Sequence, residues 1–95
     1  MKPLIMVVDD EPGVRELIGD ALRVGGYDAI EAADGDEALQ MLRHTRPTLL
    51  IVDVNMPEVD GFELVKRLRD RGQDTPVIML SARGDRVDVT HGLAI

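Results

Sequence analysis

The sequence predicts an α/β fold built on a parallel sheet, and three observations carry that expectation. Short aliphatic runs recur along the chain, segments with helical periodicity lie between them, and each run ends at a polar residue able to do chemistry. The runs cover residues 4–8, 49–52 and 77–80, and none alternates with polar residues. That is the habit of strands buried on both faces of a parallel sheet.

Taken in order, the first run ends at Asp9, and Pro12 suits the first turn of a helix, where a missing N–H costs nothing. Val14, Leu17, Ile18, Ala21 and Leu22 then form one apolar stripe, and Gly25-Gly26 supplies the stop. A weaker strand follows over residues 27–33. The next helix spans about residues 36–44, with Ala38, Leu39 and Leu42 inward and Asp34 or Asp36 as its cap. A third helix covers about residues 62–71, with Leu64, Val65 and Leu68 on its apolar side and Gly72 behind it. After Ser81 the pattern weakens. Residues 85–93 read as a poor helix because of Thr90 and Gly92. Strands joined by single helices run parallel with right-handed crossovers.

Ninety-five residues allow one domain, residues 1–95, and 44% hydrophobic content argues against disorder. Eighteen acidic against eleven basic residues give a net charge of −7, which speaks against non-specific affinity for nucleic acid. The absence of cysteine excludes disulfides and thiolate metal sites. The apolar start is too short for a signal peptide or a membrane span, so a cytoplasmic protein without membrane attachment is expected.

In an open parallel sheet, ligands gather outside the carboxyl ends of the strands. Here those ends deliver Asp9-Asp10-Glu11, Asp53 and Ser81 to one edge. A capping role for Asp10 or Glu11 ahead of Pro12 stands beside a functional one. Asp53, directly behind four aliphatics, is harder to read as a cap. Two unit charges ~4 Å apart repel by about 4 kcal/mol at an effective dielectric near 20. Clustered carboxylates therefore need a cation or raised pKa values, and no Lys or Arg lies in these strand-end segments. All-oxygen ligands with open positions suit Mg²⁺. A carboxylate beside Mg²⁺ can be a nucleophile toward phosphorus, with Ser81 donating to a phosphoryl oxygen.

Together, Asp9-Asp10-Glu11, the run Asp53-Val54-Asn55-Met56-Pro57-Glu58-Val59-Asp60-Gly61, and Ser81-Ala82 resemble the receiver domain of two-component response regulators. The resemblance implies a flavodoxin-like fold, and a phosphoryl group passed to Asp53 from a phosphohistidine on a sensor histidine kinase. It further implies that Asp10 and Asp53 ligate Mg²⁺ through carboxylates and Asn55 through its backbone carbonyl. Asp9 acts at the same metal through a bound water, and Ser81 is the switch hydroxyl. Pro57 and Gly61 shape the loop. The family places a lysine after a fifth strand, and this chain ends at Ile95 before it. The expectation is a domain incomplete at its C-terminus, with sheet order 2-1-3-4, the fifth strand and fifth helix missing, the fourth strand a bare edge and the first helix partly uncovered. Such a chain is expected to compensate by pairing with a second copy, by exchanging elements with it, or by poor solubility. DNA is reached only through an effector domain absent from this chain.

Two other functions compete. A Mg²⁺-dependent phosphohydrolase with an Asp nucleophile wants Asp-x-Asp after its first strand, and Asp9-Asp10 are adjacent. A non-phosphorylated binding or dimerisation module is opposed by the presence of Asp9, Asp10, Asp53 and Ser81 together. His44 and His91 read as solvated, Phe62 and Tyr27 as packing residues, and Arg67, Arg69 and Arg71 as a solvated helix face. Met56 serves equally well as a core filler or a site residue. Arg83 is a weaker candidate for touching phosphate.

Overall fold

A computed structural model describes residues 2–81 and 86–90, with side chains over 2–80. Its elements run β1 (Leu4–Val8), α1 (Pro12–Val24), β2 (Asp28–Ala32), α2 (Gly35–Met41), β3 (Leu49–Asp53), α3 (Gly61–Asp70), β4 (Val77–Ser81) and β5 (Arg86–Thr90). The sheet order is β2-β1-β3-β4-β5. β1 pairs in parallel with β2 and β3, and β3 with β4, giving the expected parallel order 2-1-3-4.

One expectation is overturned. Residues 86–90 form a strand antiparallel to β4, so the edge expected to be bare carries a partner, and the helix expected over 85–93 is absent from 86–90. Arg86-Val87-Asp88-Val89-Thr90 alternates with period two and is rich in β-branched residues, which suits a strand better than a helix. The unpaired N–H and C=O groups of β4 give such a segment somewhere to pair.

The sheet is unequally covered. Met6, Val8, Leu50, Val52, Val77 and Met79 point to one face, where Ala38, Leu39 and Leu42 of α2 and Leu64, Val65 and Leu68 of α3 close a buried core. On the opposite face Ile5 and Val7 are buried, but Ile51, Ile78 and Leu80 are only half-buried. α1 lies over β1 and β2, and part of its apolar stripe faces solvent, with Leu17 70% and Val24 89% exposed. The expected uncovered side of this helix is therefore present. Phe62 and Tyr27, expected as packing residues, are each roughly half exposed.

Short-range chemistry sets the helix ends. Asp34 and Asp60 accept hydrogen bonds from the backbone N–H groups of Glu37 and Glu63, both at 2.8 Å. Each satisfies a donor that the first turn leaves unpaired. Glu37 reaches back to the N–H of Ala33 at 2.7 Å. At the far end of α3 the arginines do more than face water. Arg69 donates to the Gln73 carbonyl at 2.9 Å, and Arg71 ties α3 to the Leu39 carbonyl of α2 at 3.2 Å. Arg67 keeps the expected surface role, paired with Glu63 at 3.0 Å. Among the described residues no helix is long and apolar enough to cross a membrane.

Candidate functional site

The strand order reverses between β1 and β3, and a ligand crevice in a doubly wound sheet opens at that point. Val8 pairs with Val52 in register, so Asp9 and Asp10 leave β1 beside Asp53 at the end of β3. Asp53 in turn pairs with Leu80, which puts Ser81 one residue further along β4. The side chain of Ser81, together with Arg83 and His91, lies outside what the structure describes.

Carboxylate oxygens of Asp9, Asp10 and Asp53 lie within 4.8 Å of one another. Asp9 is buried, Asp53 half-buried and Asp10 exposed, so the cluster opens from the sheet edge toward solvent. Asp9 is held at three points. Its N–H donates to the Ala32 carbonyl at 3.2 Å, its Oδ1 accepts from the Glu11 N–H at 2.9 Å, and its carbonyl accepts from Arg15 at 2.9 Å. Asp53 Oδ1 accepts from the Asn55 N–H at 3.0 Å. Burial pushes the Asp53 carboxyl above its ordinary range. The Asn55 N–H opposes that shift, and the charges of Asp9 and Asp10 with a hydrogen bond to Asp10 add to it. Three oxygen donors at this spacing, on a partly open rim, fit a hard divalent cation that keeps some of its water.

The capping alternative finds no support at the acidic pair. Glu11 is the N-cap of α1, but its side chain makes no capping bond. Asn55 lies two residues beyond Asp53 and is exposed. Met56 is buried in the core, which gives it a packing role. His44 is exposed at the end of α2. Sequence reasoning gave Gly61 only a loop-shaping role, and the geometry is sharper. A Cβ on Gly61 would lie 2.9 Å from both the Asp53 carbonyl oxygen and the Val54 Cα. The absent side chain lets the start of α3 lie against the backbone of Asp53 itself. Glu58, in the same loop, has φ 63°, the left-handed region that non-glycine residues rarely occupy.

Comparison with known proteins agrees with this geometry. The family described as "Response regulator receiver domain" matches residues 5–95. The chain belongs to the response regulator receiver family. Receiver-containing relatives include the probable transcriptional regulator ycf27 of Porphyridium aerugineum, 40% identical over 99% of this chain and 39% of its own length. The alkaline phosphatase synthesis transcriptional regulatory protein PhoP of Bacillus subtilis is 39% identical over 100% of this chain and 40% of its own. The chain thus spans about two fifths of the length of these curated relatives. Among solved structures, the receiver domain of Francisella response regulator 1452 superposes with a TM-score of 0.83 at 35% identity, over 87% of this chain and 69% of that one. Response regulator TrrA of Thermotoga maritima, solved in complex with Mg²⁺-BeF, gives 0.81 at 38% identity over 88% and 72%.

Proposed function

We propose that this receiver is a phosphorylation-dependent switch in which Asp53 accepts a phosphoryl group from a phosphohistidine of a sensor histidine kinase. The observation that carries the reading is the convergence of three carboxylates from two adjacent strand ends at the point where the sheet reverses direction. Asp9, Asp10 and Asp53, with the backbone carbonyl of Asn55, are the residues to hold Mg²⁺. The TrrA complex supports that choice of ion. Bound Mg²⁺ would neutralise the carboxylates and polarise the phosphoryl oxygens.

The chain's own residues account for the rest. One carboxylate oxygen of Asp53 attacks phosphorus, and an O–P bond forms as the P–N bond to the donor imidazole breaks. The electron pair leaves with the imidazole nitrogen, which takes a proton from water. The bond from the Asn55 N–H orients the nucleophile, and the raised affinity of Asp53 for a proton marks a carboxylate whose charge is costly until it is neutralised. Ser81, one residue beyond the level of Asp53 on β4, is the switch hydroxyl that donates to the transferred group.

The transcriptional regulators among the relatives support an output on DNA through a further domain, and the cytoplasm is the compartment that goes with this reading. The exposed apolar side of α1 supports pairing with a second copy of the chain. The test of the switch is incubation with acetyl phosphate and Mg²⁺ followed by intact-mass measurement. One phosphoryl adduct is expected, lost with EDTA and lost in Asp53→Asn. An adduct that survives both treatments would refute the reading.

A further inference from the structure

Behind the acidic cluster lies a second charged group. Glu31 of β2 faces α1, where Arg15 approaches its carboxylate at 3.6 Å and Arg23 at 3.1 Å. Arg15 uses another nitrogen to donate to the Asp9 carbonyl at 2.9 Å. Its guanidinium therefore bridges the middle of β2 to the residue that opens the acidic cluster. Arg15 and Glu31 keep only 18% and 22% of their side-chain surface exposed, so the pair is largely withdrawn from water. Arg23 is more exposed, and it also pairs with Asp20 at 3.3 Å.

The backbone makes room for this arrangement. A Cβ at Gly19 would meet the Glu31 carboxylate at 2.7 Å and the Arg23 guanidinium at 3.2 Å. A larger residue on that turn of α1 would push the ends of the Glu31 and Arg23 side chains aside. The bridge also resolves an electrostatic conflict. A bare guanidinium this near a cation site would repel the ion, whereas one neutralised by Glu31 can hold the Asp9 backbone without that penalty. Lysine, a point charge, lacks the planar fork needed to span both partners.

We propose that Arg15, neutralised by Glu31, is a positioning residue that sets Asp9 and Asp10 for a divalent cation. This rests on the metal-binding reading of the cluster. Outer-shell partners of metal ligands typically contribute about 10–100-fold in affinity. The experiment is calorimetric titration of the full chain with Mg²⁺, for wild type, Arg15→Gln, Glu31→Gln and the double variant, with urea unfolding in EDTA alongside. Arg15→Gln is expected to raise the Mg²⁺ dissociation constant roughly tenfold. Glu31→Gln weakens binding too, by leaving Arg15 unopposed. The double variant binds no worse than Arg15→Gln, because Glu31 acts through Arg15. Arg15→Lys, which keeps the charge without the fork, also weakens binding. A folded Arg15→Gln protein with wild-type or tighter affinity would overturn the proposal and leave the bridge a stabiliser of α1 alone. A wild-type chain that binds no Mg²⁺ overturns the metal reading, and the proposal with it.

Discussion

Replacing Asp53 with asparagine should make the metal-free protein more stable. The substitution keeps the shape and the Oδ1 that accepts from Asn55, and it removes one of three charges gathered within 4.8 Å. Two of the three pairwise repulsions disappear. At that separation each is about 3.5 kcal/mol at an effective dielectric of 20 and about 0.9 kcal/mol in water. Because Asp10 is exposed and Asp53 half-buried, the working value lies toward the lower figure, and the total gain is about 1–3 kcal/mol. For a domain of this size that is roughly 4–8 °C of Tm per kcal/mol. The pH dependence has a definite sign. Asp53 binds its proton more tightly folded than unfolded, so its contribution to stability is complete below its ordinary pKa of 3.8 and is lost as pH rises through the raised folded value. The advantage of Asp53→Asn should therefore be full at pH 7 and close as pH falls toward 4. Thermal unfolding in EDTA at low salt, repeated across pH, measures it. Added Mg²⁺ should raise the Tm of wild type more than that of the variant. An Asp53→Asn protein no more stable than wild type at pH 7 would refute the electrostatic account of this rim.

Three further outcomes follow from the packing. Gly61→Ala forces a Cβ against the backbone of Asp53 and Val54. It should cost about 1–3 kcal/mol in urea unfolding and weaken Mg²⁺ binding in calorimetry. Asp60→Ala removes the cap on the Glu63 N–H and should cost about 1 kcal/mol by the same unfolding assay. Leu17→Glu, on the exposed side of α1, should change monomer stability by no more than about 0.5 kcal/mol while lowering the mass found by light scattering if pairing uses that face.

Most of the parallel sheet was legible because its strands are uninterrupted aliphatic runs, and Asp9, Asp10 and Asp53 fell at their ends. Register then made neighbours of residues far apart in sequence, as the pairing of Val8 with Val52 shows. The strand at 86–90 was missed because its period-two alternation spans only five residues and was read together with its flanks as one weak helix over 85–93. Its pairing depends on the edge of β4, a partner that local sequence does not display. The backbone contacts of Arg69 and Arg71 were missed for a related reason, while Arg67 was read correctly. Arg71 finds the Leu39 carbonyl on another helix, and no spacing within α3 predicts that contact. The Arg15–Glu31 bridge was invisible in the same way, since its three members lie just after β1, on α1 and on β2.

The central claim is that the phosphoryl group rests on Asp53. After phosphorylation with acetyl phosphate and Mg²⁺, borohydride would reduce an aspartyl phosphate to homoserine, and peptide mass spectrometry would locate it. The account predicts homoserine at position 53 alone. A phosphoryl group found on Ser81, Asp10 or a histidine, with residue 53 unaltered, would contradict it.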